Sequence, residues 1–142
     1  MTRPPSTLRR WLSGWLRPVR IGSAGRAGEH LAEQHLRRRG YRILGRNVRV
    51  AGGELDLVAE APDRLTIVVV EVKSSASTTA SRWRPEARVG HDKQQQLRRL
   101  AQSMVKQRHL TDRPLRIDII AVERVGDGPA VIRHHENAVT AG

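Results

Sequence analysis

Apolar residues fall at helical spacing in two long stretches of the chain and at strand spacing between and after them. Over Ser23–Arg39, the residues Ala24, Ala27, Leu31, Ala32, His35 and Leu36 form one stripe, with Ser23 placed to cap the start and Gly40 the end. Gly28 falls on the same side and admits close approach of a neighbouring element. Tyr41–Val50 reads as a first strand, Ala51-Gly52-Gly53 as a tight connection and Glu54–Glu60 as a second strand. After a turn at Ala61-Pro62-Asp63-Arg64 comes a third, Leu65–Lys73, whose β-branched run to Val70 suits a buried, pleated surface. Ser74–Ala80 is small and polar and is expected to be a mobile loop. His91–His109 predicts a second helix with Leu97, Leu100, Ala101, Met104 and Val105 inward. Leu115–Glu123 predicts a fourth strand, with Leu115, Ile117, Ile119 and Ala121 on one side and Asp118 and Ile120 on the other. Val131–His135 is placed as an edge strand. The order αβββαβ implies an α/β domain, a mixed central sheet flanked by helices.

The domain so drawn spans residues 23–136, after a leader at 1–22 and before a tail at 137–142. In the leader, Leu8, Trp11, Leu12, Trp15 and Leu16 fall at helical spacing up to Pro18. No apolar run approaches the 18 or so residues of a membrane span. The leader reads equally as a helix packed on the domain or as an arm gripping DNA. A membrane-surface helix and, given arginine and serine with no acid before Glu29, a transit peptide stay open.

Composition narrows the partners. The chain has 142 residues, enough for one core, and a net charge of +12. That balance predicts a polyanion, most often nucleic acid. The charge is uneven: residues 1–50 hold 12 Arg and 2 Glu, so most acids lie in the remaining two thirds. There is no Phe, one Tyr and three Trp, too few rings for base-stacking platforms. Contacts should therefore be mainly to phosphates. Cysteine is absent, which excludes disulfides and thiolate zinc sites and fits a reducing cytoplasm.

The candidate chemistry lies between Gly53 and Lys73. Glu71 and Lys73 share a face of their strand, and Glu54 and Asp56 are likewise two apart on the strand before. A hairpin through Pro62 brings Asp56 beside Glu71. Paired carboxylates suit Mg²⁺ or Mn²⁺, hard ions held by one or two acids with waters and substrate phosphate. The adjacent lysine is suited to orienting water and offsetting charge. Glu-x-Lys alone reads equally well as a structural ion pair at a strand end. Glu29, at the edge of the first helical stripe, is either an outer carboxylate of this site or a partner of Arg26. Lys93 opens the second helix, whose free N–H groups also attract phosphate. Arg82 and Arg84 are placed to close over a substrate. Trp83 between them is a wedge residue or a cover for the core edge.

Gly53-Glu54-Leu55-Asp56-Leu57-Val58-Ala59 followed by Val70-Glu71-Val72-Lys73 resembles the PD-(D/E)xK nuclease superfamily. Within it the chain resembles the bacterial YraN family, itself similar to archaeal Holliday-junction resolvases. Gly28-Glu29, Gly40-Tyr41-Arg42-Ile43-Leu44 with Arg46-Asn47, Gly90 with Lys93, and Arg116-Ile117-Asp118-Ile119 extend the resemblance over about Gly25–Val122. Ser75 departs from it, because relatives usually carry a basic residue there. The resemblance implies a restriction-endonuclease-like core.

The expected function is a Mg²⁺-dependent (or Mn²⁺-dependent) nuclease on DNA, branched or damaged DNA included. Asp56, Glu71 and the Val72 backbone carbonyl would hold the metal, Lys73 would position water, and Glu29 and Glu54 would assist as outer acids. Lys93, Arg46, Arg82 and Arg84 are the expected nucleic-acid contacts. A homodimer is left open. The alternatives are a nuclease-like module that binds nucleic acid without cutting, and a structural ion pair with a basic surface for a protein or membrane partner.

Overall fold

The structure is a computed structural model that describes residues 24–77 and 89–141, with side chains for 27–76 and 89–141. The leader, Ser23, Arg82, Trp83 and Arg84 lie outside the described residues. Seven elements follow one another: α1 (Ala24–Arg38), β1 (Arg42–Val50), β2 (Gly53–Glu60), β3 (Ile67–Ser77), α2 (His91–Gln107), β4 (Leu115–Val125) and β5 (Val131–Val139). The five strands form one sheet in sequential order. All neighbours are antiparallel except β3 and β4, which run parallel from Ile67↔Leu115 to Ser77↔Val125 with α2 as the crossover. No helix among the described residues is long and apolar enough to cross a membrane.

Alternation along the strands feeds two cores. Ile67, Val69, Ile117 and Ile119 face α2, where Leu97, Leu100, Ala101, Met104 and Val105 cover them. Val68, Val70, Ile120 and Val122 face α1 and pack with Ala32 and Leu36. Burying a side chain such as Leu36 contributes about 2 kcal/mol. Two helical stripes on opposite faces therefore hold the sheet between them, as the sequence order implied.

Several expected boundaries move. Leu65 is exposed and β3 begins at Ile67, because Asp63 accepts the N–H groups of Leu65 and Thr66 (2.9 Å each) and the Thr66 hydroxyl, fixing both residues in the turn. The loop expected from Ser74 is strand as far as Ser77, since β4 supplies a full parallel partner there. β5 runs past His135 to Val139. The tail expected from Asn137 is thus part of the sheet, and Val139 is buried in the α2-side core. Ala27 is exposed rather than in the α1 stripe. α1 ends where Gly40 turns with φ +87° and Tyr41 N–H donates back to the Leu36 carbonyl.

Candidate active site: an acid pair where two strands part

Regular alternation fails in the β1–β2 hairpin at a register shift between Ile43 and Gly45, and again nearer the turn. Leu55 packs in the α2-side core and Leu57 in the α1-side core, although two residues apart on a strand should share a face. On β1, Arg46 likewise reaches α1 while Val48 packs toward α2, and Asn47 between them has φ +48°. A positive φ turns the chain over within a single residue, and asparagine tolerates it better than most. The consequence appears one strand on. The β2–β3 ladder stops at Leu57↔Val70, and β2 peels away from β3. Asp56 lies at the point of parting. Its carboxylate takes the Val72 N–H at 2.8 Å, a donor left without a ladder partner.

Glu71 sits on the α2 side of β3, with the parity of Ile67 and Val69, and is buried. Lys73, two residues on, reaches it at 3.5 Å. Lys93 from the first turn of α2 reaches the same oxygen at 3.3 Å. The Asp56 and Glu71 carboxyls are close enough to share a hydrogen bond. Burial, then the Glu71 charge, pushes Asp56 up to about 7, with a smaller contribution from Glu29 and partial relief from the Val72 N–H. Two acids held together in a dry fork, one retaining its proton near neutrality, form a site that gains from a cation.

α1 closes the other side. A Cβ on Gly28 would stand 1.8 Å from Ser74 Oγ and 3.0 Å from Ser74 Cβ, so only glycine allows α1 to lie directly on the end of β3. The adjacent Glu29 thereby comes near enough to act on Asp56, and it has an interaction partner of its own.

The other sequence-derived candidates separate. Glu54 is exposed beside the hairpin turn, opposite Arg49. Arg46, expected to contact nucleic acid, is instead committed to the buried Glu33: its Nε donates at 2.6 Å and its Nη2 makes a second, short contact. Arg37 adds two more bonds to that carboxylate, at 3.1 and 2.8 Å. The reason is electrostatic, since unpaired Glu33 inside the α1 interface would be costly. Lys93 was expected at a phosphate, and its link to Glu71 was missed because it joins residues 22 apart in sequence through the packing of α2. Also unanticipated is a polar cluster on the α1 side. Asp118 is fully buried there and accepts from Arg116, His134 and the Asn137 N–H. Arg116-x-Asp118 was legible as a same-face pair on a strand, by the same rule as Glu71-x-Lys73.

The model of the Uncharacterised protein family UPF0102 matches residues 28–122, which include Glu29, Asp56, Glu71, Lys73 and Lys93. The chain belongs to the UPF0102 (YraN) family. A UPF0102 protein of Pelobacter propionicus is 40% identical over 116 residues, covering 82% of this chain and 81% of that one. A UPF0102 protein of Syntrophotalea carbinolica is 41% identical over 116 residues, covering 82% and 90%. Among solved structures, a repair endonuclease from Pyrococcus abyssi is similar at 16% identity and a TM-score of 0.44, over 77% of this chain and 41% of that chain.

The donor chemistry of the fork suits a hard divalent cation. The groups it would offer are the Asp56 and Glu71 carboxylate oxygens, and no group of three or more His, Cys, Asp or Glu capable of holding a metal occurs among the described residues. Two carboxylates would suit an ion that keeps most of its water, whereas Zn²⁺ and Ca²⁺ sites recruit more protein ligands.

Proposed function

We propose that this UPF0102 chain is a Mg²⁺- or Mn²⁺-dependent nuclease that hydrolyses phosphodiester bonds in DNA, acting in the cytoplasm. The observation that carries the reading is the approach of Asp56 to Glu71 in the fork, with Lys73 and Lys93 on Glu71. An aspartate raised toward neutral pH beside a second acid is costly as a structural feature and useful as a cation site. When bound there, the ion supplies Lewis-acid polarisation of the phosphoryl group and a hydroxide at neutral pH.

The protein groups divide the remaining work. Asp56, as the carboxylate, and Glu71 would hold the ion, and the Val72 N–H keeps the Asp56 carboxylate in orientation. The Lys73 ammonium orients the attacking water and offsets the charge that grows on the phosphoryl oxygens. Lys93 places a second cation beside the reacting phosphate. Glu29 keeps the local field negative, which favours the ion over the shared proton.

The test is cleavage of end-labelled single-stranded, duplex, flap and four-way-junction DNA with Mg²⁺, Mn²⁺ or EDTA. The expected result is metal-dependent cutting that Asp56→Ala abolishes in a folded protein. Absence of cutting on every DNA with either ion, with binding retained, would replace the nuclease by a non-catalytic nucleic-acid-binding module.

A further inference from the structure

Lys93 belongs to two places at once. Its ammonium pairs with Glu71 of the acid fork, and it lines an open groove of about 470 Å³ on the surface of α2 together with Asp92, Gln95, Gln96 and Arg99. The groove runs beside the β1–β2 hairpin, whose Gly53 backbone lies against Leu100 and the Gln96 amide. It leads away from the acid pair along α2, with Arg99 about 9 Å beyond Lys93 at 1.5 Å per residue. Among the described residues Arg99 makes no ion pair, and it is exposed. At the fork end, α2 begins with Gly90 as its N-cap and no side-chain cap, so first-turn N–H groups stay available to an anion. Asp92 is the single acid of the lining.

We infer that this groove is the track for the phosphodiester backbone of the substrate on one side of the fork. Arg99 and Gln96 hold a phosphate one step from the one at Lys93. The inference rests on the proposed nuclease site for the meaning of the fork, and adds to it where the strand lies. Two cations, two amide side chains and an uncapped helix start, set against one acid, match a repeating anion. The groove is open along its length and does not enclose a small molecule, so an extended chain fits it where a free phosphate would be held weakly. Phosphate contacts of this kind position a strand without reading its sequence. DNA and RNA share the chemistry, and the substrate arms below separate them.

The experiment measures binding of the full-length chain, in EDTA so that nothing is cut, to fluorescent 30-nucleotide single strands and 30-base-pair duplexes of DNA and of RNA. Arg99→Ala and Arg99→Glu are compared with Arg38→Ala, an exposed arginine at the far end of α1. That end lies at the opposite end of the strands, since Gly40 packs on Pro62 while Gly28 packs on Ser74. Arg99→Ala should weaken binding about 3–10-fold and reduce the slope of log affinity against log salt by about 0.7–0.9. Arg99→Glu should weaken it further, Gln96→Ala should weaken it less, and Arg38→Ala should change it less than twofold. The nucleic acid with the largest Arg99 effect identifies the source of the backbone. Equal losses for Arg99→Ala and Arg38→Ala, or none for Arg99→Ala, would overturn the track and reduce binding to overall charge. Cleavage that proceeds with an unchanged KM in Arg99→Ala would remove the track and leave the nuclease standing. Arg99-dependent binding by a chain that cuts nothing would do the reverse.

Discussion

Two acids on adjacent strands have opposite fates. Asp118 on β4 and Glu71 on β3 each have a cationic residue two positions away, Arg116 and Lys73, on the same strand face. Asp118 points toward α1 and is saturated. Burial alone would raise it, but hydrogen bonds from His134 and Arg116 and the Asn137 N–H overcome that and hold it below the usual carboxylate range. Glu71 points toward α2 and faces another acid. Its neighbour Asp56 is pushed to about 7 by burial and the Glu71 charge, which the Val72 N–H offsets only in part. The same spacing thus makes a structural clasp in one place and a strained acid pair in the other. The difference lies in what the fold brings opposite. β5 continues past its register shift and offers Asp118 a full set of donors, whereas β2 peels away at Leu57 and leaves the fork open. Two acids brought face to face mark the candidate site more clearly than the motif does.

Substitutions should divide along this line. The largest effects are on rate: Asp56→Ala and Lys73→Ala should lower metal-dependent cleavage by about 100-fold or more, with melting temperatures at or above wild type for Asp56→Ala. Asp118→Ala should instead cost about 3–5 kcal/mol of stability by stranding Arg116 and His134. It should affect cleavage only through the folded fraction. Chemical denaturation paired with single-turnover cleavage separates the two. Equal loss of rate from Asp118→Ala in a protein that stays folded would erase the distinction between the regions.

The second effect is on pH. Asp56 has its folded pKa above the unfolded value, so the stability linked to its proton is fully present below about pH 3.8 and is lost as pH rises through about 7. Asp118 is depressed, so its contribution is present above the ordinary aspartate range and lost only in strong acid. Between pH 5 and pH 8 the metal-free chain should therefore lose stability on the order of 2–4 kcal/mol through Asp56 alone. Asp56→Asn should flatten that part of the profile. A wild-type melting temperature constant from pH 5 to pH 8, matched by Asp56→Asn, would mean the two acids are not held together.

Next comes the ion. Mg²⁺ or Mn²⁺ competes with the Asp56 proton, so it should stabilise the protein more at pH 8 than at pH 5.5. The gain at 100 times the dissociation constant should be about 2.7 kcal/mol at the higher pH. Asp56→Ala should lose most of it and Asp118→Asn should keep it, as thermal melts with and without the ion would register. The smallest effect is expected at Glu54, exposed beside the hairpin turn. Glu54→Ala should change stability by less than about 0.5 kcal/mol and leave cleavage alone. A large loss of rate there would redraw the site around the hairpin.

Periodicity made much of the architecture legible in advance. The inward residues of α2, the alternating sides of β4 and the order of elements are local consequences of 3.6- and 2-residue repeats. The boundaries that moved did so through contacts periodicity does not encode. Asp63 captured Leu65 and Thr66, β4 extended β3 to Ser77, and the core drew Val139 out of the expected tail. The candidate chemistry was readable as residue types: Asp56, Glu71 and Lys73 stand out as acids and a lysine beside apolar runs. The pairing of Arg46 was not legible because its partner Glu33 is 13 residues earlier and meets it only when α1 folds onto β1.

What the sequence determined by itself is the set of elements, the faces they bury and the short stretch rich in candidate groups, because side-chain direction along a helix or strand follows from backbone geometry alone. The tertiary structure decided which of those groups meet. The turnover at Asn47 that frees Asp56 from the ladder, the seating of α1 on Ser74 through Gly28 and the arrival of Lys93 at Glu71 each depend on surfaces formed by distant segments. An acid's character is set by the donors and charges around it in space, and these are known only once the chain has packed.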